Sequence, residues 1–358
     1  MRHPLLPAFL GAALCAGEPP HEMGPAPTRE LFPLYLLTLG YRPESPTPLG
    51  KGNWRVTLDC VRSNTFEFSE AFRRLAPKDP QGRVVMTRTV AESLGPALAD
   101  VPLAFYFDEE VVRWEFRARC GLTRDTDLWA ELPVQSASGG YLDRVIEGFH
   151  RLGFEQFGRD QIARDQFTEL VLEHGRIRHF NQAPESSQVK DPSLGLVHRF
   201  LDQDGWQVAG TATLKLPLTR TYGSFRAGWD HSLALSARWQ ASETHVLYAG
   251  AGIVRRPPGS RDYNHIQNAG FRNGSGAHLG WEGRPGGRWR PYFQLLWQDG
   301  YLAPMPSQQL HRDSLQHDLG VHCQLDAHAS LSLRYVNNIT HHENTADMSL
   351  SLALSVFF

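Results

Sequence analysis

The chain closes on Met348-Ser349-Leu350-Ser351-Leu352-Ala353-Leu354-Ser355-Val356-Phe357-Phe358, and the reading of this run decides the fold. Met348, Leu350, Leu352, Leu354, Val356 and Phe358 fall at every second position, with Ser349, Ser351, Ala353, Ser355 and Phe357 between them. Successive side chains of a strand point to opposite faces, so the six large apolar groups share one face and leave the serines on the other. A last strand of this kind, ending on an aromatic residue, is the form recognised by the machinery that assembles barrels in the bacterial outer membrane. Phe358 is therefore the expected assembly signal.

The same alternation recurs upstream. Trp206, Val208, Ala212, Leu214 and Leu216 stand against Gln207, Thr211, Thr213 and Lys215, and Val112, Trp114, Phe116 and Ala118 alternate with Arg113, Glu115, Arg117 and Arg119. Trp229, Leu233, Leu235, Ala237 and Trp239 repeat it with a tryptophan at each end, where membrane interfaces fall. A soluble sandwich also alternates, but these segments run to about 9 to 13 residues, the length of a tilted bilayer crossing rather than of an ordinary strand. The faces opposite the apolar ones carry Arg, Glu, Gln and Lys, as a watery lumen requires. No run of about 18 apolar residues exists to cross as a helix. The expected fold is all-β: an antiparallel transmembrane β-barrel of 12–14 strands with one short helix in a connection.

Strands are expected to begin near Asn53, Glu110, Asp125, Asp165, Leu194, Trp206, Trp229, Thr244, Gly270, Arg288, Ser314, Ala329 and Ala346, with a weaker candidate at Arg176 to Phe180. Tight connections at Asp202 to Gly205, Gln240 to Glu243, Gly283 to Gly287 and Asp326 to His328 alternate with long ones, marking periplasmic and outer ends. Fourteen strands result if the Arg176 hairpin joins the wall, and twelve if it stays outside. Export leaves Cys60, Cys120 and Cys323, an odd number in an oxidising compartment, so no disulfide framework is expected. Cys60 and Cys120 are expected late in two successive antiparallel strands, hence at opposite membrane faces.

Ahead of the barrel, Arg2 and His3, an apolar run from Pro4 to Leu14 and the small Ala16 and Gly17 read as a secretory signal cleaved near Ala16. Leu14 before Cys15 does not suit a lipid-attachment site. The expected organisation is a signal peptide over 1–16, a periplasmic or plug-like segment over 17–50 and an outer-membrane barrel over 51–358. Its surroundings would be outer-membrane lipids and lipopolysaccharide, with the barrel assembly machinery engaged during biogenesis. With 36 basic and 38 acidic residues the formal charge is -2, which excludes a phosphate-binding nucleic-acid surface.

One segment breaks the alternation. Between Gly139 and Phe154 the apolar residues stand at 142, 145, 146, 149 and 152, the spacing of an amphipathic helix. It falls in an outer connection, where it either braces a loop or folds inward as a gate. In the second case Asp143, Glu147, His150 and Arg151 would face the lumen.

The stretch Ser138-Gly139-Gly140-Tyr141-Leu142-Asp143 with Ile146-Glu147-Gly148-Phe149-His150, preceded by Cys120-Gly121-Leu122-Thr123-Arg124 and Ala130-Glu131-Leu132-Pro133, resembles a bacterial family of outer-membrane barrels known only as a domain of unknown function. Leu214-Lys215-Leu216-Pro217 and the closing strand fit the resemblance, which spans most of the chain after about residue 30. It departs at Arg29-Glu30-Leu31-Phe32-Pro33, where the family tends to carry an Arg-Asn-Gln element before a proline. The resemblance implies fold and location but no activity.

Catalytic pairs are weak. His231 is followed two places on by Leu233 rather than serine, and His328 with Ser330 sits at the periplasmic end pointing inward, so no nucleophile and base are set up on one accessible face. His341, His342 and Glu343 cluster in an expected outer loop and His311 with His317 flanks the start of a strand, and loop histidines without a fixed scaffold are solvated rather than preorganised for metal. Gly274, Gly276 and Gly280 lack the helix that a nucleotide loop needs. No catalytic residue, metal or cofactor is expected. The expected function is a passive channel or transporter for small solutes, the solute not being legible, with Arg113, Glu115, Arg117, Lys215, Arg238, Arg290 and Arg334 lining the lumen. The alternative is a closed structural or surface-interaction barrel, with a lipid-modifying barrel enzyme as the remotest reading.

Overall fold

A computed structural model describes residues 23–151, 161–218, 228–256, 271–284, 287–301, 311–340 and 345–358. The signal-peptide reading, Cys15 and the His341-His342-Glu343 cluster lie outside the described residues. The strands are β1 (Trp54–Phe68), β2 (Ala104–Gly121), β3 (Thr126–Ser138), β4 (Thr168–Glu173), β5 (Arg176–Asn181), β6 (Glu185–Val189), β7 (Ser193–Gln203) and β8 (Trp206–Lys215). They continue as β9 (Asp230–Ser242), β10 (His245–Arg255), β11 (Gly274–Gly283), β12 (Trp289–Gln298), β13 (Ser314–Gln324), β14 (Ala329–Thr340) and β15 (Met348–Phe357). Among the described residues three short α-helices interrupt them: α1 (Glu70–Leu75), α2 (Arg88–Leu94) and α3 (Leu142–His150).

Twelve strands close on themselves. From β7 to β15 each pairs antiparallel with the next, β15 returns to β1, and β1, β2, β3 and β7 complete the ring. The seam joins Arg55 to Phe357 and Asn64 to Met348, so the closing run of the chain is hydrogen-bonded on both sides. Phe358 donates its N–H to the Trp54 carbonyl and accepts from the Trp54 N–H, which holds the last residue at the rim where β1 begins.

The two registers have opposite chemistry. Trp114, Phe116, Leu128, Leu132, Leu233, Leu235, Leu279, Leu333, Leu352 and Leu354 point outward and are exposed. A contiguous apolar band of this kind is untenable in water and matches hydrocarbon. Inward, Asp59, Arg113, Glu115, Arg119, Glu131, Glu282, Gln294, Asp318 and Arg334 are buried. Trp54, Trp206 and Trp289 open their strands at the periplasmic rim, and Trp206 stacks on Trp239 with ring centroids 5.5 Å apart.

The β4–β5 hairpin, which contains Arg176 to Phe180, pairs only with the upper end of β2 and stays outside the ring, so of the two expected counts the barrel has twelve strands. Two features differ from the sequence expectation. β2 begins at Ala104 rather than near Glu110, because Ala104 to Asp108 pair with β4 above the membrane. Cys60 is opposite Trp114 and Cys120 opposite Trp54, so Cys60 lies midway along its strand rather than at a membrane face. Six residues of strand, roughly 20 Å, still separate the two, and all three described thiols are free.

Above the membrane β1, β2, β4 and β5 form a two-faced sheet. Its outward side, with Phe66, Phe68, Ala104, Tyr106, Leu170 and Leu172, is covered by Phe72 of α1, Ala91 and Leu94 of α2, and Leu98. Its inward side, with Phe105, Phe107 and Val171, packs on Phe32, Tyr35 and Leu37 from the N-terminal segment and on Phe271 and Tyr301. The cap therefore has a protein core on both sides, whereas the wall below it has one only inside.

Candidate functional site: the lumen and the segment within it

Residues 23–49 run inside the barrel. The stretch carries prolines at 25, 27, 33, 43, 46 and 48. Proline supplies no N–H to a ladder, so this segment cannot join the wall as another strand and stays a single chain bonded through its remaining polar groups. One arm runs toward the outer end: Gln294 donates to the Ala26 carbonyl at 3.0 Å, Thr28 bonds Asp318, and Arg29 reaches Glu115 at 3.2 Å. Glu30 accepts from Gln316 at 2.6 Å and from the Ala346 N–H at 2.9 Å. A 3-10 turn, Pro33–Leu37, reverses the chain beneath the cap, where Phe32 and Tyr35 are buried.

The second arm returns along the opposite wall. Lys215 donates to the Leu37 carbonyl, the Leu39 N–H donates to Asp230 at 2.9 Å and Arg256 donates to the Leu39 carbonyl at 2.7 Å. The Tyr41 hydroxyl lies 2.7 Å from His278 Nδ1. Its ring needs room, and the wall provides it: a Cβ on Gly276 would fall 2.5 Å from Tyr41 Cβ, and one on Gly252 2.9 Å from its ring. Gly250 completes this notch, its would-be Cβ lying 2.9 Å from the Tyr41 hydroxyl. Arg42 then bonds Glu131 and, at 3.0 Å, Glu115, so Arg29 and Arg42 meet on the same two wall carboxylates. Arg117 donates to Glu44 at 2.7 Å, Thr47 bonds Gln207 at 2.7 Å, and the Leu49 N–H donates to Asp127 at 2.9 Å just before β1 starts.

These contacts fix the charge states on the segment. Burial raises the Glu30 carboxyl to about 7, against hydrogen bonds from Ala346, Phe32, Leu31 and Gln316 that act to lower it. Burial also acts to raise Glu44, but Arg117 and Arg42 draw it below the usual carboxylate range. Burial alone would lower Arg42, and Glu131 and Glu115 overcome it, so the guanidinium stays charged.

Small gaps lie beside the segment. One gap, bounded by Arg29, Asp59, Glu115 and Arg334, and another, bounded by Tyr41, Arg42, Trp129 and Glu131, are each about 20 Å³, room for about one water. A larger cavity of about 70 Å³ lies toward the periplasmic end between Pro43, Glu44, Arg55, Arg117 and His322. The inward residues expected from the alternation, Arg113, Glu115, Arg117, Lys215, Arg238, Arg290 and Arg334, all lie in the inward register. Among the described residues no group of three or more His, Cys, Asp and Glu side chains could hold a metal ion.

The helical segment occupies a different place. Leu142 and Ile146 of α3 pack on Met348 and Tyr335, both in the outward register, and Val145 is exposed. Glu110 caps the helix by accepting from the Tyr141 and Leu142 N–H groups, each at 2.7 Å, and Gly140 with φ +60° leaves no room for a Cβ against that carboxylate. Asp143 accepts from Asn64 at 3.0 Å and from the Asp165 N–H at 2.7 Å. Burial would raise Glu147, but hydrogen bonds from Arg164 and Arg83 bring it down to about 2. Arg151 is exposed, and the His150 side chain lies outside the described residues.

A family model described as a protein of unknown function, DUF3187, matches residues 94–358. No curated protein matches the chain in sequence. Among solved structures, the COG4313 outer membrane channel from Pseudomonas putida F1 is similar over 89% of this chain and 100% of that one, at 13% identity and a TM-score of 0.54, which shows a shared fold. The KdgM porin, at 6% identity over 84% and 99% of the two chains, has a TM-score of 0.40. The CymD monoaromatic hydrocarbon channel, at 11% identity over 95% and 97%, has a TM-score of 0.38. The barrel is of the type found in bacterial outer-membrane channels.

Proposed function

The chain belongs to the DUF3187 family, and from that premise and the geometry of the lumen we propose that it is a passive outer-membrane channel for small solutes, held shut by its own N-terminal segment. The supporting observation is that a separate piece of chain fills the lumen. Eight-stranded barrels are filled by wall side chains alone, whereas a twelve-stranded one is wider and leaves a space that something else must occupy. Here residues 23–49 take that space and hold it through polar contacts and ion pairs. Their removal would leave a corridor lined by Arg113, Glu115, Glu131, Asp318 and Arg334, groups that water can solvate. We assign no catalytic chemistry to the barrel. Its partners on this reading are outer-membrane lipid and lipopolysaccharide, and the assembly machinery that receives Phe358.

Planar-bilayer recording of the purified protein tests the reading. The full chain should conduct weakly and intermittently, and a variant lacking residues 23–49 should show stable openings at least ten times larger. A deletion variant that folds, inserts and remains silent would leave the closed structural barrel as the reading that stands.

A further inference from the structure

We propose that the cavity at the periplasmic end of the lumen is a binding site for a small oxyanion, a phosphate or carboxylate group, with Arg55 as its principal counter-charge. The observation is an imbalance among the arginines there. Arg42 pairs with Glu115, Arg117 with Glu44, and Arg334 with Asp59. Arg119, on the neighbouring stretch of wall, pairs with Asp127 at 2.7 Å. Arg55 lines the same cavity and has no carboxylate partner among the described residues. It lies directly opposite Arg119 in the β1–β2 register, and the next inward pair on those strands is Thr57 with Arg117. Like charges directly opposite in a ladder repel, so three guanidiniums share this corner with only Glu44 and Asp127 against them. An anion beside Arg55 would remove that repulsion.

The donors are in place. Arg117 is 8% exposed and its Nε bonds no protein group; His322 is 4% exposed and its Nε2 bonds none either. His322 Nδ1 lies 2.6 Å from the Ser332 hydroxyl and its ring stacks on Tyr292 at 4.6 Å, which fixes the imidazole plane. In the tautomer whose Nδ1 accepts that hydroxyl, Nε2–H is free to donate into the cavity. Thr57 and Ser355, 2.8 Å apart, add hydroxyls. The volume of about 70 Å³ is about half that of a cavity that accepts benzene, which suits a compact ion or the charged end of a larger solute. Glu44, Asp59 and Glu115 also face the cavity, but each is bonded to an arginine, so they do not leave it net negative.

This inference goes beyond the channel reading and does not depend on conduction, because binding is read on the closed barrel. The test is calorimetric titration and thermal unfolding of the full-length barrel in detergent with inorganic phosphate, sulfate and acetate, against sodium chloride at matched ionic strength. The wild type should bind phosphate or acetate saturably and unfold at a higher temperature in their presence than in chloride. Arg55→Gln should weaken that binding at least tenfold, and without oxyanion it should unfold no earlier than the wild type, since it loses a repulsion rather than a partner. Arg55→Lys keeps the charge without the planar fork and should fall between them, which covers the case in which the glutamine variant does not fold. Equal binding by wild type and Arg55→Gln, an effect reproduced by chloride, or no binding of any of the three anions would each overturn the proposal.

Discussion

Two segments of this molecule compete for the role of a gate, and they sit on opposite sides of the wall. Residues 23–49 carry six prolines and no strong periodicity, yet they lie inside the lumen and bond residues of β2, β3, β8, β9, β11, β12 and β13. The α3 helix has the amphipathic spacing that draws the eye, yet it rests its apolar face on outward-register Tyr335 and Met348. The difference teaches that amphipathicity says a face must be covered but not by what. Two outward-pointing wall residues bury Leu142 and Ile146 as well as an interior would. The inner stretch is matched to both surroundings it meets: Arg29, Glu30, Arg42 and Glu44 find partners on the charged wall, while Phe32, Tyr35 and Leu37 pack beneath the cap.

The comparison is broken most severely at Arg42. Replacing it with alanine leaves Glu115 and Glu131 facing Arg29 and Arg113 alone, and the loss of one member of a buried ion cluster costs roughly 3–5 kcal/mol. The expected outcome is frequent opening in bilayers and new proteolytic cuts between residues 23 and 49, while the barrel still shows heat-modifiable gel mobility. An Arg42→Ala protein as quiet and resistant as the parent would deny that the ion cluster holds the segment.

The Tyr41 notch gives the next largest effect. Gly276→Ala puts a methyl 2.5 Å from Tyr41 Cβ, so the ring must shift, at a cost of about 1–3 kcal/mol. In a Tyr41→Gly background, which lacks the Cβ as well as the ring, Gly276→Ala should lower the unfolding temperature by much less than it does in the parent. An equal loss in both backgrounds would place the strain in the wall instead of in the fit.

The third prediction concerns pH. Glu30 has a docked pKa of about 7 against an ordinary 4.5, so the docked segment holds the proton more tightly than a released one. Docking is strongest below about pH 4.5, weakens as pH rises toward 7 and levels off above it, for a total of roughly 3 kcal/mol. Open probability should therefore rise between pH 5 and pH 8, and Glu30→Gln should flatten the curve near its acid limit. An unchanged slope in the glutamine variant would assign the pH response elsewhere.

The smallest effect on conductance belongs to α3. Ile146→Ala should destabilise the outer rim by about 2–4 kcal/mol, visible as faster hydrogen exchange from Leu142 to His150, with conductance unaltered. A conductance change as large as that from loss of residues 23–49 would restore α3, with Asp143, Glu147, His150 and Arg151, as the gate.

Much of the wall was legible because a membrane barrel writes its environment into every second residue. The closing strand, the tight turns and the inward arginines all follow from that period. The cap was not legible. Phe66, Phe68 and Tyr106 continue the outward register beyond the membrane, and the sequence does not mark where lipid gives way to α1 and α2 as the covering material. The short stretch at Arg176 looked like a weak strand because it is one, paired to β4, which in turn joins β2 above the ring. The inner segment carried a negative signal in its prolines, which excluded a strand without naming a location. Gly276, readable as a small residue on a strand, has its reason in Tyr41, more than 200 positions away in the chain.

The seam between β1 and β15 has a bearing on how the molecule is made. The segment that fills the lumen precedes β1, yet Thr28 bonds Asp318 and Glu30 bonds Gln316 and Ala346, residues of the last quarter of the chain. Those partners do not exist until nearly all of the polypeptide has been delivered, so the first described residues are among the last to find their places. Contacts of such sequence separation are slow to form, and the seam imposes an order on them. Either the loose N-terminal stretch is already inside when Arg55 meets Phe357, or it must thread in afterwards from the periplasmic rim, its 3-10 turn leading. Refolding followed from both sides, by the formation of the Phe358–Trp54 pairing and by the burial of Tyr35, would show which event comes first.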